Sequence, residues 1–391
     1  MGLFGWFRSR DGKKARESVE GTEEAHLPRL SLDDSLGNPD PEVRIAAVHS
    51  IAGIGAPAIP LLINTLSDES WRVRRAAGTG LAGIGLPAVE PMILALDGAR
   101  TDVKREIIRA LTIIGNPAFP PLVVALDNPS ADIRSCAVGA IAMMKNQNRG
   151  EALTKALNDP DQSVRAAAAE AYGHLPDEQG IPVLMGLLGD PIGAVRKAAI
   201  NACIRIGKPA VGPLIRTLEE AGPAIRSYAE EALAGIGSAG RTDITNMLHH
   251  QDPAMRQSGI RILGEIKDLN TVSHLIGTLA DPDPEVRNSA IAALSGFGKS
   301  ALPEITAAFE NTDLRVSEGA MEILAGMGEP AVPSLIVYLK NEDPSMRKRA
   351  AVILGEIGSY EAHEPLIDLL QDSDPSVRRE AFEAIEQIKR R

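Results

Sequence analysis

The sequence predicts an all-α fold, a solenoid of about twelve antiparallel helix pairs of 30 or 31 residues each. Three observations carry that prediction. An arginine-centred motif recurs at this spacing along nearly the whole chain; apolar columns keep step with it at helical period; prolines and glycines stand where such helices would begin and end.

The motif is clearest in Asp281 to Gly298, DPDPEVRNSAIAALSGFG. With Arg287 as anchor, equivalent positions fall at Arg44, Arg74, Lys104, Arg134, Arg165, Arg196, Arg226, Arg256, Ser317, Arg347 and Arg378. Ser317 stands where an arginine is expected. Choosing the nearby Arg315 instead breaks the spacing into steps of 28 and 32, whereas Val316 and Gly328 fit their columns only with Ser317 as anchor. The array therefore takes residues 27–391 and leaves residues 1–26 as a separate N-terminal segment.

Each unit reads as two helices. Apolar columns one residue before the anchor and three, seven and ten after it trace one stripe at 3.6 residues per turn, the second helix of a pair. Three residues after the anchor stands alanine in ten units, with Ile107 and Gly259 as exceptions, and small side chains let helices approach closely. Ten after it every residue is apolar, from Ile54 through Phe297 to Ile388. Columns twelve and eight before the anchor mark the first helix, the latter running from Leu36 through Phe309 to Leu370. A handful of aliphatic side chains cannot offset the ordering of a 30-residue unit, so the units must share apolar surface by stacking. A right-handed or gently curved superhelix follows.

Helix boundaries are legible in the same register. Asp283 stands at an N-cap, where its carboxylate accepts from an unpaired backbone N–H, and Pro284 occupies the first turn, where a missing N–H costs nothing. Asp40, Asp252, Asp343 and Asp374 repeat the device. Pro57 and Pro60, and likewise Pro330 and Pro333, are expected within the first turn of first helices. Gly55, Gly85, Gly115, Gly207, Gly237, Gly298, Gly328 and Gly358 end second helices, as left-handed caps would.

Composition narrows the function. A hydrophobic share of 44% and a charged share of 24% are those of a folded chain, while aromatics, at 3%, leave an aliphatic core. The net charge of −11 is concentrated beyond residue 150, which repels phosphate backbones and argues against nucleic-acid binding. Cys136 and Cys203 fit a reducing compartment and small packing positions rather than a disulfide framework or redox pair. No apolar run is long enough for a membrane span, and a cytoplasmic location is expected.

DPDPEVRNSAIAALSGFG and DPSMRKRAAVILGEIG (Asp343 to Gly358) follow the pattern D-P-x-V-R-x-x-A-x-x-A-L-G-x-I-G and resemble HEAT repeats, most closely the short, armadillo-like kind named after phycobilisome lyases. The resemblance covers all twelve units. It implies a ladder between the aspartate and arginine columns of neighbouring units, and a concave face lined by second helices. It leaves function open between scaffolds, chromophore lyases and deoxyhypusine hydroxylases. Hydroxylases of this class assemble a di-iron site from several His-Glu pairs; here only His363-Glu364 occurs, with His26, His49, His174, His249, His250 and His274 scattered. Adjacent His249 and His250 should point apart on a helix. No catalytic residue, metal or cofactor is assigned, and nothing points to bilin.

Binding is the better reading. Positions one, five and nine after the anchor lie opposite the apolar stripe and, by the resemblance, line the groove. Early units place Arg75, Arg105, Arg109, Lys197 and Arg205 there; late units place Glu318, Glu322, Glu356 and Glu383, with Lys348 and Arg379 interspersed. The expected function is a non-enzymatic scaffold or adaptor whose basic strip receives an acidic segment of a protein partner; the alternative is an enzyme of the lyase-like or hydroxylase-like class. Outside the array, Phe4, Trp6 and Phe7 precede Arg8, Arg10, Lys13 and Lys14, a pattern that suits peripheral membrane contact through residues 1–16.

Overall fold

A computed structural model describes residues 35–175 and 178–390. The N-terminal segment, with Phe4, Trp6 and Phe7 and the expected membrane contact, lies outside the described residues. All regular secondary structure among the described residues is helical. Twelve second helices run from Pro41–Ala52 to Pro375–Lys389, one for every predicted anchor. A first helix precedes each from the second unit on, usually a short one, as Ile59–Thr65 precedes Trp71–Ile84; Lys208–Glu220 is the long exception. Consecutive second helices pack on one another, and first helices lie against the second helix of their own unit. One continuous apolar core extends from Val48 to Ile388. The architecture is a single-file α-solenoid.

The column three after the anchor is buried in every unit, Ile107 and Gly259 included. Backbones need that smallness. A Cβ added to Gly259 would come within 3.1 Å of Met247 Cβ. The leucine column of the first helices is buried from Leu66 to Leu339, while Leu36 and Leu370 at the two ends of the array are half-buried. The column ten after the anchor is less uniform. Phe297 and Ile388 are buried, several isoleucines are half-buried, and Ile54 is 53% exposed. This column lies in or just past the last helical turn, where the chain departs and covers the side chain on fewer sides.

The predicted caps form. Asp40, Asp252, Asp283, Asp343 and Asp374 each accept from the backbone N–H two residues on, at 2.7–2.9 Å. Two details differ from expectation. First helices commonly open with a separate 3-10 turn, Ala56–Ala58 before Ile59–Thr65 and Glu329–Ala331 before Val332–Tyr338. Pro57 and Pro60 therefore sit in two successive helix starts. All eight glycines have positive φ, and Gly358 is an ordinary left-handed cap, with φ 74° and ψ 21°. Gly55, like Gly328, pairs its positive φ with ψ near −140°, close to a region essentially reserved to glycine. Lys267 takes the glycine position of its unit at φ 53° and ψ 38°, the one positive-φ region that other L-residues tolerate.

The expected ladder exists, but its acid is not the N-cap. Arg44, Arg134, Arg165, Arg256 and Arg347 reach forward to Asp68, Asp159, Asp190, Asp281 and Asp372, each through two N–O contacts of 2.7–3.1 Å. These acids stand six residues before the next anchor, two before its cap. A third guanidinium nitrogen binds carbonyls of its own unit's turn, as Arg134 Nη1 binds the oxygens of Asn128 and Pro129. The acid also shapes its turn: Asp159 accepts from the N–H of Asp161 at 2.8 Å. One rung thus ties two turns to one helix.

Where that acid is missing, the rung changes. Gly98 occupies the place in the third unit, and Arg74 turns to Asp102 at 3.4 Å. Asn128 occupies it in the fourth, and Lys104 pairs with Asp132 at 2.8 Å. Glu220, His250 and Asn311 occupy it further on, and Arg196, Arg226 and Arg287 have no ion pair among the described residues. Arg196 lies over the Tyr228 ring, 5.1 Å from its centroid. Ser317 confirms the register. It is fully buried, its hydroxyl donates to the Phe309 carbonyl at 2.9 Å, and it accepts from Arg349 at 2.5 Å.

Two outcomes follow. Asp190→Ala should leave the Arg165 guanidinium without its acid and loosen that junction by about 3–5 kcal/mol, read as faster hydrogen exchange in Gln162–Tyr172 and Gly193–Ile206. Arg287→Ala, which removes only carbonyl bonds, should cost about 1 kcal/mol. The arginine contacts hold the carboxyls of Asp190 and Asp372 below the ordinary range. At Asp281 burial acts to raise the value, and the Arg256 pair outweighs it. Depressed folded values mean stability present above the unfolded carboxylate value of about 3.9 and lost as pH falls through the folded ones. The melting temperature should therefore drop below about pH 5, and Asp372→Asn should flatten that drop.

Candidate protein-binding face

The positions one, five and nine after each anchor emerge on one side of the second-helix stack, as the register requires. Arg105, Lys197, Arg205, Glu318, Glu322 and Glu356 are exposed there, while Arg75 and Arg109 are half-buried. The difference has a cause that the sequence reading missed. Glu106 is buried, 7% exposed, and its carboxylate accepts from Arg75 Nε at 2.9 Å, with Arg109 Nη1 at 3.8 Å. The late units repeat the geometry: Lys348 meets Glu380 of the next unit at 3.5 Å, and Arg379 meets Glu380 at 2.9 Å and Glu383 at 3.7 Å. Arg75 and Arg109 are therefore structural cations in part. Arg105, Lys197 and Arg205 have no acid partner among the described residues, and neither Glu318, Glu322 nor Glu356 has a cation.

Two apolar side chains also open onto this face. Ile113 and Met143, both nine after their anchors in consecutive units, are 53% and 61% exposed. Glu106 could have been suspected from its place 31 residues after Arg75, and Ile113 and Met143 from being large and apolar in a column otherwise of glycine and polar residues.

The remaining chemistry-bearing residues resolve separately. His250 Nδ1 accepts from the Asp252 N–H at 3.1 Å, whereas His249 lines a cavity of about 300 Å³ with His274 and Asp281. The adjacent histidines thus diverge, although they lie past the end of Arg241–Met247 rather than on a helix as expected. Asp281 is already engaged by Arg256. His363 stacks on Tyr360, centroids 5.2 Å apart. Cys136 and Cys203 are buried, and burial pushes both thiols up, Cys203 to about 12, so both are packing residues. Among the described residues no three His, Cys, Asp or Glu side chains converge as metal ligands would.

Two larger cavities lie on the opposite, first-helix side, which the sequence reading had not considered. One of about 600 Å³ separates Val89–Leu94 from Phe119–Ala125. Another of about 490 Å³ separates Val332–Tyr338 from His363–Asp368. Short first helices, with prolines at their starts, leave gaps that the longer second helices do not.

A family model described as HEAT repeats matches residues 32–97, 150–234, 211–295, 241–325, 272–341 and 332–390. The unmatched interval, 98–149, holds the units where Gly98 and Lys104 depart from the ladder pattern. No curated protein matches the chain. Among solved structures, importin beta is 13% identical over 91% of this chain and 56% of its own, with a TM-score of 0.35. Human deoxyhypusine hydroxylase with glycerol is 20% identical over 70% of this chain and 96% of its own, TM-score 0.26. The complex of CpcE and CpcF of phycocyanin lyase from Nostoc is 20% identical over 45% of this chain and 97% of that one, TM-score 0.24. The chain spans little more than half the length of importin beta. These are likenesses among helical arrays, and no binding property or chemistry transfers through them.

Because Glu106 is buried against Arg75, Arg75→Glu should set two carboxylates together and destabilise the array by about 1–3 kcal/mol, visible as a lower denaturation midpoint. Arg105→Glu, at an unpaired exposed site, should leave that midpoint within about 0.5 kcal/mol.

Proposed function

We propose, from the premise that the chain belongs to the HEAT-repeat family, that it is a scaffold or adaptor which holds a protein partner along the exposed face of its second helices. The observation that carries this reading is the exposure of Ile113 and Met143 on consecutive units of a face that also bears the unpaired cations Arg105, Lys197 and Arg205. Apolar anchors amid unsatisfied positive charge suit a segment with one or two large apolar side chains among acids: the apolar contacts supply affinity, and the charges set orientation and association rate. The acidic stretch at Glu318, Glu322 and Glu356 repels such a segment and confines it to the early units. This face recruits neither the paired Arg75 nor Arg109 as principal contacts, since both are committed to Glu106.

The test follows from that division. Affinity purification of the full chain, with mass spectrometry of what is retained, should identify a polypeptide with an acidic, partly apolar segment. The triple variant Arg105→Glu, Lys197→Glu, Arg205→Glu should weaken its capture at least about tenfold, about 1.4 kcal/mol, with an unchanged helical melt, and Met143→Ala should weaken it independently. Retention undiminished by both sets of substitutions would sink the reading. A pigment or metal retained by the purified protein would instead favour the enzymatic alternative.

A further inference from the structure

The cavity between Val89–Leu94 and Phe119–Ala125 is the larger and more apolar of the two described on the first-helix side. Its floor is Val89, Ile93 and Ala125, buried in the core, and its rim holds Leu86, Leu94 and Val124, which are 56%, 60% and 73% exposed. Three large aliphatic side chains turned outward around a cavity of about 600 Å³ form an apolar seat of the size that takes an aromatic ring or two. Exposed carboxylates at Glu90 and Asp127 edge it, Asp127 paired with Lys155 at 2.6 Å and Glu90 without a cation among the described residues. None of these features serves the second-helix face.

The sequence contains a segment of matching chemistry. Phe4, Trp6 and Phe7 are three of the twelve aromatic residues in the chain, and Arg8, Arg10, Lys13 and Lys14 follow them directly. We infer that the first sixteen residues dock into this outer groove of the same molecule, rings in the apolar seat and cations against Glu90. The proposal is independent of the partner-binding reading, which concerns the other side of the stack.

Chain length selects this groove over the second cavity. From Phe7 to Ser35, where the described structure begins, the chain can span at most about 90 Å at about 3.3 Å per residue. Packed helices stand about 8–10 Å apart, so the seat between the third and fourth units lies about 20–30 Å along the stack from the first. The cavity at Ile336 and Ile367 lies eight units further and would demand almost full extension. A tether longer than the span it must cross gives an effective concentration of up to about the millimolar range. A contact too weak to hold a free peptide would therefore stay largely occupied. Apolar complementarity and charge favour the seat; connectivity makes it self-occupied.

Trp6 reports directly on this arrangement, because the only other tryptophan is Trp71. In the full chain carrying Trp71→Phe, Trp6 emission should be blue-shifted relative to the unfolded chain and shielded from acrylamide. The shift should not depend on protein concentration. Leu94→Asp with Val124→Asp, both at exposed positions and with the helical circular dichroism unchanged, should return the emission to that of a solvated indole. A solvated Trp6 in the unaltered groove would overturn the proposal, as would protection that survives the groove substitutions. Protection lost on dilution would assign the groove to a second copy of the chain. A blue shift that arises only with anionic phosphatidylserine vesicles would assign the aromatics to a membrane surface, and either result would also overturn it.

Discussion

Everything in this molecule depends on one constraint: a 30-residue helix pair cannot bury enough apolar surface alone, and its only cover is the unit before and the unit after. The constraint explains why the column three after the anchor is confined to small or aliphatic residues and is buried without exception, since it faces the interior between helices, as Gly259 faces Met247 and Leu248. It explains why the core is continuous from Val48 to Ile388 rather than divided among domains. It also fixes where function can reside. A linear stack leaves two long sides and two ends, and on each long side only those positions that the next unit does not cover.

The arginine ladder turns that stacking from a general attraction into a defined register. An Arg–Asp pair on the surface would contribute little. Here the guanidinium is 13% exposed or less at every complete rung, and it satisfies both a carboxylate of the next unit and carbonyls of its own turn. The aspartate in turn closes its own loop through a backbone N–H. Because both groups are fully bonded, desolvation is compensated, and a shifted register would leave each of them unpaired. The rung is therefore a device for specificity as much as for stability. Its lapses fall at Arg196, Arg226 and Arg287, and other contacts cross two of those junctions: Arg196 lies over Tyr228, and Glu230 holds Arg261 at 2.6 Å.

Much of this was legible in the sequence, for reasons that particular residues make plain. Ser317 could be placed without its arginine because the columns around it are set by burial, and burial tolerates no slip. The N-caps were legible because a cap acts within its own turn. Misassignment began where an interaction crosses units. Two acidic columns, four and six residues before the anchor, look alike in sequence, and only the fold shows that Asp68 or Asp190 reaches the neighbour while Asp40 or Asp252 caps its own helix. Glu106 was overlooked for the same reason: its partner Arg75 is one repeat away, a spacing that hints at contact across units while nothing local marks the residue as buried. The outer cavities were missed because a gap between helices is a property of their lengths and angles, which residue columns do not record.

The same distinction bears on how charge should be read on any face of this array. Counting cations at the exposed positions makes Arg75, Arg105 and Arg109 equivalent, and a groove drawn from them looks strongly basic. Geometry divides them. Arg75 and Arg109 share the field of a buried carboxylate, so part of their charge is spent on holding two units together, and an incoming acid would have to compete with Glu106 for them. Arg105, Lys197 and Arg205 face no such competition. A partner that relies on these three gains electrostatic attraction without loosening the stack, whereas one that drew on Arg75 would expose Glu106 and weaken the junction beneath it. Binding and stability are thus assigned to different residues of one helix face.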